Sequence, residues 1–239
     1  MVSYTVFSLL LAAVLVNAED YCKYNCGSEI NVGCNNPGVP ASTCVDYKDI
    51  EMTEELKQDL LDEHNFFRGL VARGVGELKD NETTPTAAKM MKLKWDDELA
   101  YLASLNVKTC KMEHDCADTS KGWSGQNIYS FATTGTIDPK GVVKSVLLWY
   151  NENRDTRKSD IESLPGVYVN GKAIGHYTQV IWGNTDKVGC AASTFKSGKW
   201  NKLLVTCNYR GGNLLGASVY KIGKLCSACP NGCEKGLCL

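Results

Sequence analysis

The sequence is short of several features that would assign it to a common protein class. Its 26 basic and 27 acidic residues leave a formal net charge of −1, which gives no electrostatic reason to expect nucleic acid or an anionic membrane as a partner. Beyond residues 1–18 no apolar run is long enough to span a bilayer. HExxH, a glycine-rich phosphate loop and RGD are absent, and residues 122–126 (GWSGQ) lack the final glycine of a serine nucleophile elbow.

The N-terminal end, in contrast, is strongly apolar. Residues 1–18 carry an apolar run that ends in Asn17-Ala18, a pattern typical of a signal peptide cleaved after Ala18. The run is too short to serve comfortably as a membrane anchor. We therefore expect a secreted chain with a cysteine-rich segment at 19–52, a main domain at 53–222 and a short cysteine-rich tail at 223–239. Asn81, in the sequon Asn81-Glu82-Thr83, is the predicted glycosylation site.

All twelve cysteines follow the predicted cleavage site. In a secreted chain, an even number of cysteines predicts disulfides first and metal ligands second. For residues 110–116 (CKMEHDC) this favours a disulfide staple over a zinc knuckle or a redox centre, because an oxidised cysteine cannot supply the thiolate that binds zinc. The same argument predicts two local disulfides among the four cysteines of the tail.

Three predicted helices precede most of the predicted strands. Thr53, Asp96 and the pair Asp138-Pro139 have N-cap and first-turn chemistry ahead of helical apolar patterns, and each predicts a helix start. Two apolar segments on either side of residues 196–198 predict a hairpin, and residues 217–222 are a further predicted strand. Since helices and strands do not alternate as βαβ units, the sequence predicts an α+β fold with an antiparallel sheet.

Several motifs occur along the chain in a fixed order. They are residues 64–68 (HNFFR), 125–128 (GQNI), 175–185 (GHYTQVIWGNT) and 204–209 (LVTCNY). Together they resemble the CAP superfamily, which comprises cysteine-rich secretory proteins, insect antigen 5 and plant pathogenesis-related 1 proteins. The resemblance covers about residues 56–222, and the N-terminal YCKYNC segment is similar to the insect antigen 5 branch of venom and salivary allergens. Residues 207–213 lack the family's usual proline and are one residue short, which concerns the local loop rather than the fold.

The resemblance implies a three-layer αβα sandwich whose central cleft gathers two histidines and two acidic residues. Carried over, the histidines are His114 and His176, one acidic residue is Glu152, and Gln126 takes the place of the other. Two imidazoles and a carboxylate can hold zinc or magnesium, so His114, Glu152 and His176 are the candidate metal ligands, although no cofactor is required. Gln126 cannot act as a general base, which excludes a pair of catalytic carboxylates. His64 lies outside this set, and we expect it to be a hydrogen-bonded structural histidine.

The resemblance also implies a disulfide pattern, which the cysteine spacing by itself leaves open apart from the pair on two adjacent predicted strands. The implied pairs are Cys22–Cys34, Cys26–Cys116, Cys44–Cys110 and Cys190–Cys207. The remaining cysteines, Cys226, Cys229, Cys233 and Cys238, would pair among themselves. The tail resembles at most a shortened hinge of the cysteine-rich secretory proteins, so channel blockade is not expected.

The function that the resemblance implies is that of a secreted, non-enzymatic antigen 5-like effector or allergen of saliva or venom. Family members bind sterols, fatty acids or other small lipids, so the expected partner of this chain, taken as a monomer, is a small hydrophobic ligand or a host protein. One alternative is a metal-dependent hydrolase or protease with Glu152 as base and a metal on His114 and His176. Another is an interaction protein that binds a host receptor through exposed loops.

Overall fold

The structure of the protein is a computed structural model that describes residues 19–24 and 26–239. The predicted signal peptide, residues 1–18, lies outside the described residues. The described α-helices are α1 (Glu54–Ala72), α2 (Asp97–Val107), α3 (Gly141–Tyr150), α4 (Lys158–Glu162) and α5 (Gly175–Val180). Short 3₁₀ helices cover Tyr21–Lys23, Lys79–Asn81 and Asn151–Asp155. None of the helices in the described part of the chain combines the length and the apolarity that crossing a membrane requires.

The described strands form one larger sheet and three small two-stranded sheets. They are β1 (Val45–Ile50), β2 (Ala87–Lys89), β3 (Lys94–Trp95), β4 (Ser124–Thr133), β5 (Tyr168–Val169), β6 (Lys172–Ala173), β7 (Lys187–Ser197), β8 (Trp200–Arg210), β9 (Lys221–Ile222), β10 (Cys233–Glu234) and β11 (Leu237–Cys238). The larger sheet has the antiparallel order β1-β7-β8-β4, and the two residues of β3 pair with β7 in parallel. β4 is therefore an edge strand.

Helices cover both faces of this sheet, which confirms the three-layer αβα architecture. On one face, α2 buries Ala103 and Val107 against Ile128, Ala191 and Leu204 of the sheet. On the other face lies the main core, to which α1, α3 and α5 contribute. Its members include Leu60, Phe67, Val71, Val146, Trp149, Tyr177, Leu203, Val205 and Tyr209.

The helix starts show how far local chemistry determines structure. The Thr53 hydroxyl accepts from the Leu56 backbone N–H, and an Asp96 carboxylate oxygen accepts from the N–H groups of Glu98 and Leu99, so α1 and α2 begin as predicted. The predicted start of the third helix is wrong. Asp138 and Pro139 form a preceding turn, in which Asp138 accepts from the Lys140 N–H, and α3 begins only at Gly141.

The predicted strand at 217–222 is also wrong over most of its length. Only Lys221–Ile222 is a strand, and it pairs with β2 rather than with the larger sheet. The Ala217 carbonyl oxygen accepts from the Leu164 N–H. The Val219 N–H donates to the Ile161 carbonyl oxygen, and the Val219 carbonyl oxygen accepts from the Gly183 N–H, so this segment is bonded to α4 and to the loop after α5. Strands β1 and β4, in contrast, are not anticipated by the sequence patterns.

All twelve cysteines are paired, and six disulfides of this kind are suited to an oxidising, extracellular environment. The pairs are Cys22–Cys34, Cys26–Cys116, Cys44–Cys110, Cys190–Cys207, Cys226–Cys233 and Cys229–Cys238. The first four are the pairs that the resemblance implies. Two of them tie both ends of residues 110–116 to the N-terminal segment, which fixes the loop that carries His114.

Candidate functional site

The first of the three histidines belongs to the scaffold. His64 is fully buried on α1, and its Nδ1 lies 2.7 Å from the carbonyl oxygen of Leu60, to which it must donate. Its Nε2 then accepts from the Tyr209 hydroxyl at 2.8 Å. Burial lowers the pKa of the ring to about 4 from an ordinary value of 6.5. Both ring nitrogens are thus used inside the fold, as expected for a structural histidine.

Arg68, one turn further along α1, is fully buried as well. Its guanidinium donates five hydrogen bonds of 2.6–3.0 Å, all to backbone carbonyl oxygens. The acceptors are Met91, Val180, Trp182 and Thr185. Three of these lie in or next to the GHYTQVIWGNT segment, so Arg68 fixes the end of α5 and the loop that follows it.

The other two histidines line one cleft of about 100 Å³ at the edge of the larger sheet. His114 comes from the stapled loop after α2, and His176 from the first turn of α5. Gln126 and Asn127 are successive residues of the edge strand β4, so their side chains point to opposite faces and border the cleft from both sides. The structure therefore brings three of the four predicted cleft residues to its lining.

The fourth predicted residue, Glu152, lies behind His176 on the 3₁₀ helix that follows α3. One carboxylate oxygen is 2.6 Å from His176 Nδ1, and the other accepts the backbone N–H groups of His176 at 2.9 Å and Tyr177 at 3.2 Å. Both oxygens are thus committed to α5. Trp149 stacks on the His176 ring at a centroid distance of 6.4 Å, which further fixes the orientation of the imidazole.

On the opposite side of the cleft, Gln126 plays the corresponding part for His114. Its Oε1 lies 2.9 Å from His114 Nδ1, while its Nε2 donates to Asp115 Oδ1 at 2.7 Å and to Asn208 Oδ1 at 3.0 Å. Burial raises the pKa of the Asp115 carboxyl, although the hydrogen bonds from Asn106 and Gln126 act in the other direction. Sequence reasoning missed Asp115, although it adjoins His114 in the chain.

The loop after β8 is a second feature that sequence reasoning missed. Gln179 of α5 lies against Gly125 and Gly212 so closely that a Cβ atom at either position would overlap its side-chain amide. Asn213 donates to the Gly175 carbonyl oxygen at 2.8 Å and accepts from the Thr178 hydroxyl at 2.7 Å. Gly125, Gly212 and Asn213 thus hold α5 against the adjacent ends of β4 and β8. The sequence signal that could have indicated this contact is the departure of residues 207–213 from the family pattern.

The donor set is compatible with a divalent cation on the two histidines. Nδ1 of each ring faces an oxygen acceptor, so the Nε2 atom of the neutral ring retains its lone pair. Protein ligands to zinc are commonly oriented in this way by an oxygen bonded to the other ring nitrogen. Within the described residues, the groups of three close potential ligands are Cys226, Cys229 and Cys233, and Cys26, Cys116 and Asp118, whose cysteines are all in disulfides. Neither group includes the cleft residues.

The predicted glycosylation site, Asn81, is not among the residues that line the cleft. It is exposed at the end of the 3₁₀ helix Lys79–Asn81, in the left-handed conformation with φ 61°. An exposed loop asparagine of this kind is accessible to a modifying enzyme.

Comparison with known proteins agrees with this geometry. A model of the family described as CAP, the cysteine-rich secretory protein family, matches residues 61–209. Venom allergen 5 from Rhynchium brunneum is 36% identical over 224 residues, which cover 91% of this chain and 96% of that protein. The crystal structure of Na-ASP-1 has a TM-score of 0.69 and 30% identity over 84% of this chain and 50% of that chain.

The structure described as NaASP2 with Zn2+ has a TM-score of 0.66 and 29% identity, over 84% of this chain and 100% of that chain. The family match covers more than half of the sequence, and the Rhynchium brunneum protein is similar over nearly the full length of both chains. The fold described above agrees with the two solved structures. The chain belongs to the CAP family, the cysteine-rich secretory proteins.

Proposed function

We propose that this chain is a secreted, non-enzymatic CAP protein of the venom-allergen type that binds a small hydrophobic ligand or a host protein. The observation that supports the non-enzymatic part is the occupation of the side chains beside the histidines. Both carboxylate oxygens of Glu152 are hydrogen-bonded to α5, and Gln126 is uncharged. The described residues that line the cleft include no carboxylate, so the pair of carboxylates that acid–base hydrolysis could use is missing there.

A groove between β4 and the start of α3 is our candidate site for the hydrophobic ligand. This β4–α3 groove has a volume of about 310 Å³, and Tyr129, Phe131, Ile137 and Leu203 form its apolar part. Phe131, on the edge strand β4, is 46% exposed, although phenylalanine is among the side chains most often buried. An apolar surface that stays open to solvent in this way is typical of a binding site.

Two lysines give the groove a charge preference. Lys140 and Lys144 lie one turn apart at the start of α3, both line the groove, and both are exposed. Among the described residues, neither forms an ion pair. Asp138, the one acidic residue in the lining, accepts from the Lys140 backbone N–H. An apolar tail with a carboxylate head therefore fits the groove, as in a fatty acid.

Native-ligand extraction tests this proposal. Mass spectrometry of the protein purified from its natural source should show a bound lipid, and added fatty acid should bind the stripped protein. Phe131→Asp should weaken fatty-acid binding at least about tenfold, since it places a negative charge in the apolar part of the groove. Trp200→Asp, which changes an exposed aromatic outside the groove, is the matched control. Absence of lipid together with no fatty-acid binding would refute the hydrophobic-ligand proposal.

A divalent cation at His114 and His176 is a second candidate, favoured by the orientation of both rings through Nδ1. The related structure described as NaASP2 with Zn2+ supports this candidate. Metal analysis of the extracted sample and calorimetric titration with Zn²⁺ test it. His114→Ala should abolish zinc binding, whereas Met112→Ala, an exposed position in the same loop, should not. Equal zinc binding by wild type and His114→Ala would refute this candidate.

The hydrolase alternative makes a different prediction, because it needs Glu152 as base. Activity on a panel of peptides and esters would have to disappear both on chelation and in His176→Ala. We expect no such activity, since Glu152 would first have to give up its hydrogen bonds to α5. An activity that meets both criteria would replace the non-enzymatic proposal.

A further inference from the structure

The carboxylate of Asp115 is held between two side-chain amides. Its Oδ1 accepts from Gln126 Nε2 at 2.7 Å, and its Oδ2 accepts from Asn106 Nδ2 at 2.6 Å. Both amides have further partners. Asn106 also donates to the Glu113 carbonyl oxygen and accepts from the Thr206 hydroxyl, and Gln126 also donates to Asn208 Oδ1. Asp115 therefore lies inside a polar network that connects the His114 loop to α2 and β8.

This network determines which way the amide of Gln126 points. A carboxylate can only accept, so the group facing Asp115 Oδ1 must be the NH₂ of Gln126. The backbone N–H of Asp115 can only donate, and it lies 3.3 Å from Gln126 Oε1. Both ends of the amide are thus matched to partners on the same residue. The oxygen of Gln126 has only one orientation that satisfies all of its neighbours, and in that orientation it faces His114.

The orientation of Gln126 in turn determines the tautomer of His114. An amide oxygen cannot donate, so His114 Nδ1, 2.9 Å away, must carry the proton. The neutral ring then has its lone pair on Nε2. A solvent-exposed imidazole with no partner prefers the opposite tautomer, with the proton on Nε2. The exposed His114 ring is therefore held in the less common form by its contact with Gln126.

We propose that Asp115 is the positioning residue for His114. Asp115 acts through the amide of Gln126. The negative charge of Asp115 polarises this amide, so that the Gln126 oxygen becomes a stronger acceptor, and it supplies the charge that Gln126 lacks. Asp115, Gln126 and His114 together thus do for one histidine what Glu152 does alone for His176. The proposal deepens the cation-binding candidate, because the lone pair it directs to Nε2 is the one that a cation would use. The tautomer itself does not depend on a cation.

Nitrogen-15 NMR of the His114 ring at about pH 8 measures the tautomer directly, since that pH lies above the ordinary pKa of a histidine side chain. Wild type should show the proton on Nδ1. In Asp115→Asn the new side chain can accept from only one of its two amide neighbours. The orientation of the Gln126 amide then depends on Asn208 Oδ1 and the backbone N–H of residue 115 alone, and His114 should shift toward the Nε2-protonated form. Zinc affinity should fall about tenfold or more, as for other residues that orient a metal ligand.

Asp118→Asn is the matched control. Asp118 lies in the same part of the chain and is partly buried, and its carboxylate accepts from the Ser124 N–H without contacting Gln126. It removes the same charge and should leave the His114 tautomer unchanged. A tautomer unchanged in Asp115→Asn, or changed equally in Asp118→Asn, would overturn the positioning role.

The double variant Asp115→Asn/Gln126→Glu keeps the proposal testable if the single variant does not fold. It exchanges the carboxylate and the amide, so the new glutamate accepts from His114 Nδ1 directly while the new asparagine donates to it. The Nδ1-protonated ring should return, and an Nε2-protonated ring in this variant would contradict the proposal. If wild type binds no zinc and the tautomer still responds as expected, the cation candidate fails and the positioning role stands.

Discussion

The buried pair on α1 and the histidine pair in the cleft use similar side chains in opposite ways. Every polar side-chain atom of His64 and Arg68 is engaged within the fold, and both residues are fully buried. His114 and His176 each use Nδ1 for a hydrogen bond to a neighbouring side chain, and both line the cleft. Complete use of hydrogen-bonding atoms indicates a structural role. A ring that is fixed on one side and free on the other is what a binding site needs.

The largest expected effect on stability is that of Arg68→Met. It leaves the carbonyl oxygens of Met91, Val180 and Thr185 without the Arg68 donor in the interior, whereas that of Trp182 still accepts from the Thr185 N–H. Each buried unpaired group costs about 1–3 kcal/mol. We expect a loss of about 4 kcal/mol or more in the free energy of unfolding, measured by denaturant titration.

Arg73→Met is the matched control for Arg68. Arg73 is the residue directly after α1, is exposed, and donates to the Lys235 carbonyl oxygen. Its replacement should cost no more than about 1 kcal/mol. Similar losses in the two variants would show that the buried contacts of Arg68 do not distinguish it from an ordinary surface arginine.

The next effect is the acid sensitivity that His64 gives to the fold. The unfolded chain binds a proton at this residue near pH 6.5, but burial lowers the pKa in the folded state to about 4. The stabilisation is therefore fully present above about pH 7 and is lost as the pH falls from 6.5 to about 4, by on the order of 3 kcal/mol.

The difference in unfolding free energy between wild type and His64→Gln isolates this residue from the carboxyls that titrate in the same range. We expect that difference to shrink steadily as the pH is lowered from 7 to about 4. Parallel curves for the two proteins would mean that the buried ring does not resist protonation.

Changes to the cleft should affect stability least and binding most. His176→Ala removes one of three hydrogen bonds to Glu152 and should cost about 1–2 kcal/mol. His114→Ala, at an exposed ring, should cost less than about 1 kcal/mol. Zinc titration and denaturant unfolding of the same samples test the contrast. A loss of several kcal/mol in His114→Ala would place this ring with His64 among the structural residues.

Several features of the fold could be predicted because they depend on neighbouring residues. The caps at Thr53 and Asp96 act within one turn of helix, so the starts of α1 and α2 were correct. The predicted helix start at Asp138 was wrong because residues 138–140 form a turn, and α3 begins only at Gly141. The edge strand β4 was missed, although it carries Gln126, since its pattern makes sense only beside β8.

What the sequence determined by itself is the family, the paired state of the cysteines and three of the four residues expected at the cleft, because motifs and residue counts are properties of the chain. The tertiary structure decided what each polar side chain can do. Gln126 of β4 meets His114 and Asp115 of one loop and Asn208 of β8, and only their simultaneous approach fixes its amide. His64 and His114 are the same residue type, yet both ring nitrogens of the buried His64 are hydrogen-bonded, whereas the exposed His114 is held at Nδ1. The physical reason is that the role of a hydrogen-bonding group is determined by its partners and its burial, both of which arise only on folding.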